Sequence, residues 1–143
     1  MIPAKEYLQQ VKKLDTMIRN KEAERLQWKS IALGVSGFTA GEKVQTSGNP
    51  HKMVDAISIY IDLEREINRK IDELVDKRNE IISVIERLPE AEYDLLHKVY
   101  IQYMTLDEVA FAREKSRSWA VSLHGTALKH LQIILDQKET VQK

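Results

Sequence analysis

Imidazole is the most versatile acid, base and metal ligand a chain can carry, and this sequence has four: His51, His97, His124 and His130. Their spacing does not converge on a site. His124 and His130 are six residues apart and do not share a helical face well, and no His stands in metal-binding spacing with another. There is no Cys, so thiolate ligation and a disulfide framework are both excluded. The stretch Lys43–Lys52 holds Gly, Ser, Thr and basic groups but not the G-x-x-x-x-G-K-[ST] order of a phosphate loop, and it reads as a connector. No nucleophile stands with a base and an orienting acid, and the acidic and basic residues of the long helical stretches read as solvated faces. The expectation is a non-enzyme with no cofactor and no metal.

What remains is recognition chemistry, and charge constrains it. The chain has 143 residues, 22 basic and 22 acidic, for a formal net charge of zero. Proteins that hold nucleic acid by phosphate attraction usually carry a basic excess, because each contact exchanges counterions for Lys or Arg. Any nucleic-acid reading must therefore rest on local geometry. The N-terminal Met1-Ile2-Pro3-Ala4-Lys5-Glu6 has no apolar core of a signal peptide. No stretch approaches the ~18 uninterrupted apolar residues of a membrane span. A cytoplasmic protein with no membrane partner is expected.

The elements that would position a recognition surface are helical. Tyr7, Val11, Leu14, Ile18, Trp28 and Ala32 follow three-four spacing, interrupted at Lys21 and Arg25. Ile57, Tyr60, Ile67, Ile71, Leu74, Ile81, Ile85 and Leu88 occupy heptad positions shared with Glu64 and Arg78. Four of the five glycines lie between these helices, which marks a loop at about 34–52. Residues 5–33 hold seven basic and four acidic side chains, and residues 53–88 hold six basic and nine acidic. Opposite excesses favour antiparallel pairing, with Arg25 as the partner of Glu64. The apolar residues Ile61, Leu63, Val75, Ile82 and Val84 widen the second stripe and predict a homodimer through the surplus surface.

Pro89 should end or kink the long helix at Leu88. A helix is expected from there to about Tyr103, burying Leu95, Leu96, Val99 and Tyr100. Thr105 with Glu108 forms a capping-box signature for a short helix from Leu106 to Ala112. Ser116 caps a last helix that packs Ala120, Leu123, Ala127, Leu128 and Leu131 and ends near Leu135. Three short helices, the second and third joined by a tight turn, are the layout of a helix-turn-helix. The expected fold is all-α: a long antiparallel, coiled-coil-like helical hairpin over 1–88, a three-helix module over 89–136, and a frayed tail over 137–143.

The residues of the module resemble region 4 of bacterial sigma factors. Leu88-Pro89, Glu92, Leu96 and Tyr100 are followed by Thr105-Leu106-Asp107-Glu108-Val109-Ala110, Ser116-Arg117 and Ala127-Leu128-Lys129-x-Leu131, without a gap over 88–131. The chain as a whole resembles a phage and prophage family of small proteins of unknown function that place a helical hairpin before such a module. Tyr7-Leu8-x-x-Val11-x-x-Leu14-Asp15-x-x-Ile18, Val44-Gln45-Thr46-Ser47-Gly48, Lys52-Met53 and Asp62-Leu63-Glu64-x-x-Ile67 carry that likeness.

The sigma-factor resemblance implies DNA binding through a helix lying in the major groove. Carried over by position, Arg117, Ser118, Trp119, Val121 and Ser122 would face bases, and Thr105 and Lys115 would contact phosphates. Ser116 would cap the recognition helix, while Lys129 and His130 lie too far along it to reach bases. Trp119 could equally pack on Leu123. Arg113, Glu114 and Lys115 stand where region 4 usually has an apolar residue, Gly and another apolar residue, so Glu114 occupies a position suited to positive φ. From Thr105 to Leu135 there are four basic and three acidic residues, which predicts weak DNA binding by the isolated chain. Host RNA polymerase is a further expected partner. The rival reading is a non-catalytic interaction or structural protein, in which the same helices bind protein, as an RNA polymerase adaptor or a scaffold.

Overall fold

Helix formers dominate the two long segments, and glycine or proline bounds each of them. The computed structural model describes residues 2–34 and 50–141, and within them it is all-α with no strand. Five α-helices occur in chain order, α1 (Ala4–Ala32), α2 (Pro50–Ile85), α3 (Glu90–Leu96), α4 (Leu106–Ala112) and α5 (Arg117–Val141), with a π turn at His97–Ile101 after α3. Most of the loop expected at 34–52 lies outside the described residues. Gly34 closes α1 with φ 72°, and residues 50–52 are already helical. Proline fits the first turn of α2 because its missing N–H would have no intrahelical acceptor there.

Several boundaries differ from the sequence expectation. α2 stops at Ile85 instead of Leu88, because the Arg87 and Leu88 amides bond back only three residues, to Val84 and Ile85. Pro89 disfavours α geometry at Leu88, which is where the helix can no longer continue. The helix expected to reach Tyr103 is α only to Leu96 and then passes into the π turn. Leu95 and Tyr100 are five residues apart, as are Leu96 and Ile101, and all four are buried. An α-helix rotates residues five apart away from each other, whereas i→i+5 bonding brings them into line. The last helix runs past Leu135 to Val141, so residues 137–141 of the expected frayed tail are helical.

The chain divides into two compact units. Residues 14–73 form one. There Lys21 pairs with Glu66 at 2.7 Å. Arg25 pairs with Glu22 at 3.3 Å and lies over the Tyr60 ring, so the expected Arg25–Glu64 pair does not form. Glu22 lies one turn from Arg25 on the same helix, and the Tyr60 ring covers the guanidinium. Ile18, Ala56 and Ile67 are buried, and Ile57 and Ile71 are exposed despite their heptad positions.

Residues 1–13 and 74–143 form the other unit. Its core joins Tyr7, Leu8 and Val11 to Ile81, Ile85 and Leu88, and these to Leu95, Leu96, Val109, Ala120, Ala127 and Leu131. This core takes residues from both sides of residue 88. Polar groups tie the same elements together. The Tyr7 hydroxyl donates to Glu80 at 2.7 Å, and the Gln132 Oε1 accepts from the Ala4 amide at 2.6 Å. Burial, reinforced by Glu80, pushes the Tyr7 phenol well above its usual range. Burial would raise the Glu80 carboxyl, but the bonds from Tyr7 and Lys77 outweigh it and hold the group below its usual range.

His124 stacks on Tyr100, with its Nε2 2.8 Å from the hydroxyl. Burial, then the charge of Lys5, lowers the His124 pKa below its ordinary 6.5. His97 is lowered as well, again chiefly by burial. A group with a depressed folded pKa binds its proton more readily in the unfolded chain, so the stability it confers is complete above pH 6.5 and is lost as pH falls. Urea unfolding from pH 7.5 down to pH 5 should show declining stability. His124→Gln, which keeps a polar partner for Tyr100, should flatten that decline.

Candidate nucleic-acid interface

The segment from Thr105 to Ser122 is built by two caps and one turn. The Thr105 hydroxyl accepts from the Glu108 amide at 3.1 Å while Glu108 accepts from the Thr105 amide at 3.2 Å. This capping box fixes the start of α4. At the start of α5 the Ser116 hydroxyl accepts from the Trp119 amide at 3.1 Å, which leaves Arg117 as the first helical residue.

Between the caps, α4 ends in a Schellman arrangement. The Lys115 amide donates to the Ala110 carbonyl at 2.8 Å and the Glu114 amide to the Phe111 carbonyl at 3.1 Å. Such an ending places the residue after the C-cap in the left-handed region. That residue is Glu114, with φ 56°. A glutamate carries there the conformation glycine would adopt without steric conflict, at a cost of about 1 kcal/mol. Tyr103, with φ 61°, ends the π turn in the same way.

These elements set out the residues named from the sequence. Lys115, Ser116, Arg117, Ser118, Val121 and Ser122 are exposed along the turn and the first two turns of α5, and Thr105 is exposed at the start of α4. Trp119 differs from them. It is half-buried and packs against the core together with Leu123. The Lys115 ammonium lies 6.0 Å from its ring centroid.

The cations are largely engaged. Arg117 donates to Asp107 at 3.2 Å across the turn, and both side chains are exposed. Arg113 donates to Glu90 at 3.0 Å and to Asp94 at 3.4 Å, and the bond to Glu90 holds its pKa above the usual arginine value. Lys98 pairs with Asp94 as well.

Three features escaped the sequence reading. Phe111 is 87% exposed on α4, although an apolar residue next to Ala110 would ordinarily be assigned to a core. Glu92 is buried and bonds the His130 Nδ1 at 2.7 Å, giving His130 a structural partner. Ile101 reaches the core only through the π turn. The three-four spacing around Leu106, Val109 and Ala110 could have flagged Phe111 as off-face, but no local signal announces the other two. Among the described residues no group of three or more His, Cys, Asp or Glu is placed to hold a metal. No described helix is long and apolar enough to cross a membrane.

Residues 35–132 match the family described as a protein of unknown function (DUF1492). The match takes in all of α2 and all of the segment from Thr105 to Ser122. The chain belongs to this family. No curated protein and no solved structure matches it.

The strained turn yields a direct expectation. Glu114→Gly should stabilise the chain by about 0.5–1 kcal/mol, since relief of the left-handed strain exceeds the added freedom of the unfolded chain. Thermal and urea unfolding would register it as a higher midpoint with an unchanged m-value. A lower midpoint would mean that Glu114 makes a compensating contact.

Proposed function

We propose that this DUF1492 protein is a phage- or prophage-encoded DNA-binding transcription regulator. In this reading α4, the turn and α5 form a sigma region-4-like helix-turn-helix, and α1 with α2 form an antiparallel hairpin that serves dimerisation. The observation that carries the proposal is the exposed row Arg117, Ser118, Val121 and Ser122 at the N-terminal end of α5, held by the capped Schellman turn. A recognition helix enters the major groove by this end, and an arginine there can pair bidentately with guanine O6 and N7. The helix N-terminus adds favourable interaction with phosphate. Thr105 and Lys115 lie at the edges of the row, and their exposure suits backbone contacts. For the hairpin, support comes from Lys21–Glu66 and Arg25–Tyr60 in one unit and Tyr7–Glu80 in the other.

In this reading Trp119 has a supporting role. Its ring braces α5 against the core and holds the Lys115 ammonium near the turn. Arg117 must leave Asp107 to reach a base. An exposed ion pair is weak and screened by salt, so a guanine can displace the carboxylate, but affinity is reduced. Weak binding by one chain, strengthened by dimerisation, follows from these pairings and from the neutral net charge.

Phe111 favours a second reading. An exposed aromatic ring on α4, beside paired charges, suits a protein partner such as host RNA polymerase, with the same helices acting as an adaptor surface. The two readings separate in one experiment.

Fluorescence anisotropy with mixed-sequence duplex DNA, in salt steps from low to physiological, should show binding that weakens steeply with salt. Arg117→Ala should reduce affinity, and Lys115→Ala, at a phosphate contact, should lower the salt slope by about one. Asp107→Asn should strengthen binding by freeing Arg117. If the folded wild-type chain binds no duplex even at low salt, the regulator reading fails and the polymerase reading takes its place.

A further inference from the structure

In helix-turn-helix docking the first helix of the motif crosses the phosphate backbone while the second enters the groove. In the regulator reading that first helix is α4, whose seven residues include Asp107 and Glu108 but no Lys or Arg. Positive charge for the backbone must therefore come from neighbouring segments. Arg113, Arg117 and Lys98 are poor sources, because each is already paired with a carboxylate. Two lysines of the same unit are held differently. The Lys115 ammonium lies 6.0 Å from the centroid of the Trp119 ring, and the Lys12 ammonium lies 5.9 Å from that of Tyr103. Neither has a carboxylate partner among the described residues.

An aromatic ring positions a cation without cancelling its charge, since the attraction comes from the ring quadrupole. Lys12 and Lys115 therefore keep a full positive charge for a phosphate. They also flank α4. Lys115 follows its last turn, and Tyr103, which seats Lys12, precedes the capping residue Thr105 by two positions, a span of at most about 7 Å. Lys12 comes from α1, far outside the helix-turn-helix in sequence, but the core fixes it there. Its neighbour Val11, and Leu8 one turn earlier, are buried in one core with Val109 and Ala110 of α4. The Tyr7–Glu80 and Ala4–Gln132 bonds hold the same end of α1. Tyr103 is set by its left-handed φ of 61°, and the next amide, of Met104, bonds the Lys98 carbonyl at 2.9 Å.

We propose that Lys12 is a further contact to the DNA backbone, so that α1 contributes to the DNA-binding surface from outside the helix-turn-helix. Lys12 and Lys115 then grip phosphates at the two ends of α4. The proposal rests on the regulator reading and adds to it a residue that the sigma-like segment does not contain. A chain of zero net charge can hold a polyanion in this way, because the charges that count are the few left without a counter-ion of their own.

Fluorescence anisotropy of the full chain on mixed-sequence duplex, in the same salt steps, tests it. Wild type, Lys12→Gln, Lys12→Arg and Lys13→Gln are compared, with circular dichroism to check helical content. Lys12 is exposed, so its variants should fold. Lys12→Gln should weaken binding several-fold at low salt and lower the salt slope by about one. Lys12→Arg should keep the wild-type slope, which separates lost charge from a disturbed helix. Lys13→Gln removes the same charge about 100° around α1 and should leave the slope unchanged. A slope unaffected by Lys12→Gln, in a wild type that binds DNA, overturns the contact and leaves the regulator reading standing. Equal losses at Lys12 and Lys13 overturn it too, because they report net charge and not position. Absence of duplex binding by the wild type removes the regulator reading and this contact together.

Discussion

Seven-residue helices are not stable alone. Nucleation is unfavourable and few hydrogen bonds follow it, so α3 and α4 exist only where packing holds them. The packing comes from the ends of the two long helices. Leu8 and Val11 near the start of α1, and Ile81 and Ile85 near the end of α2, form one core with Leu95, Leu96, Val109 and Leu131. Leu8, Ile81, Ile85, Leu95, Leu96 and Leu131 are among its largest fully buried side chains. Removing any of them would leave a cavity between elements that have no other support. The candidate interface on α5 inherits its position from this core, through Ala120 and Ala127 on the inward face of the helix.

Polar pairings reinforce the same joints. Tyr7 reaches Glu80 and Ala4 reaches Gln132, so the start of α1 is bonded to both α2 and α5. Glu92 is a buried carboxylate on α3, where an unpartnered charge would be strongly unfavourable. His130 on α5 meets it at 2.7 Å. These bonds specify which helices adjoin, a task that apolar packing performs with less selectivity.

At the proposed recognition surface the chain balances attraction against restraint. Arg117, Arg113 and Lys98 each pair with carboxylates of neighbouring elements, so the surface is less cationic than its sequence suggests. In the regulator reading this lowers non-specific affinity for phosphate and leaves discrimination to the few groups that reach base edges. The left-handed Glu114 fits the same pattern of local strain held by the surrounding packing.

Much of the local structure was legible in the residues. Helical content follows from three-four spacing, Thr105 and Glu108 announce the capping box, Ser116 announces the start of α5, and Glu114 marks the turn position that adopts positive φ. Each of these depends on neighbours within four or five positions, which is the range over which sequence acts directly on backbone geometry. Other features were decided only by tertiary structure. The π turn, the burial of Ile101 and Glu92, the pairing of Arg117 with Asp107, and the choice of Tyr60 and Glu22 over Glu64 for Arg25 all depend on which helices come to lie together. Exposure at Phe111 and at Ile57 and Ile71 belongs here too. A heptad pattern shows that a residue can be buried, but the neighbours that bury it come from elsewhere in the chain or from a second copy.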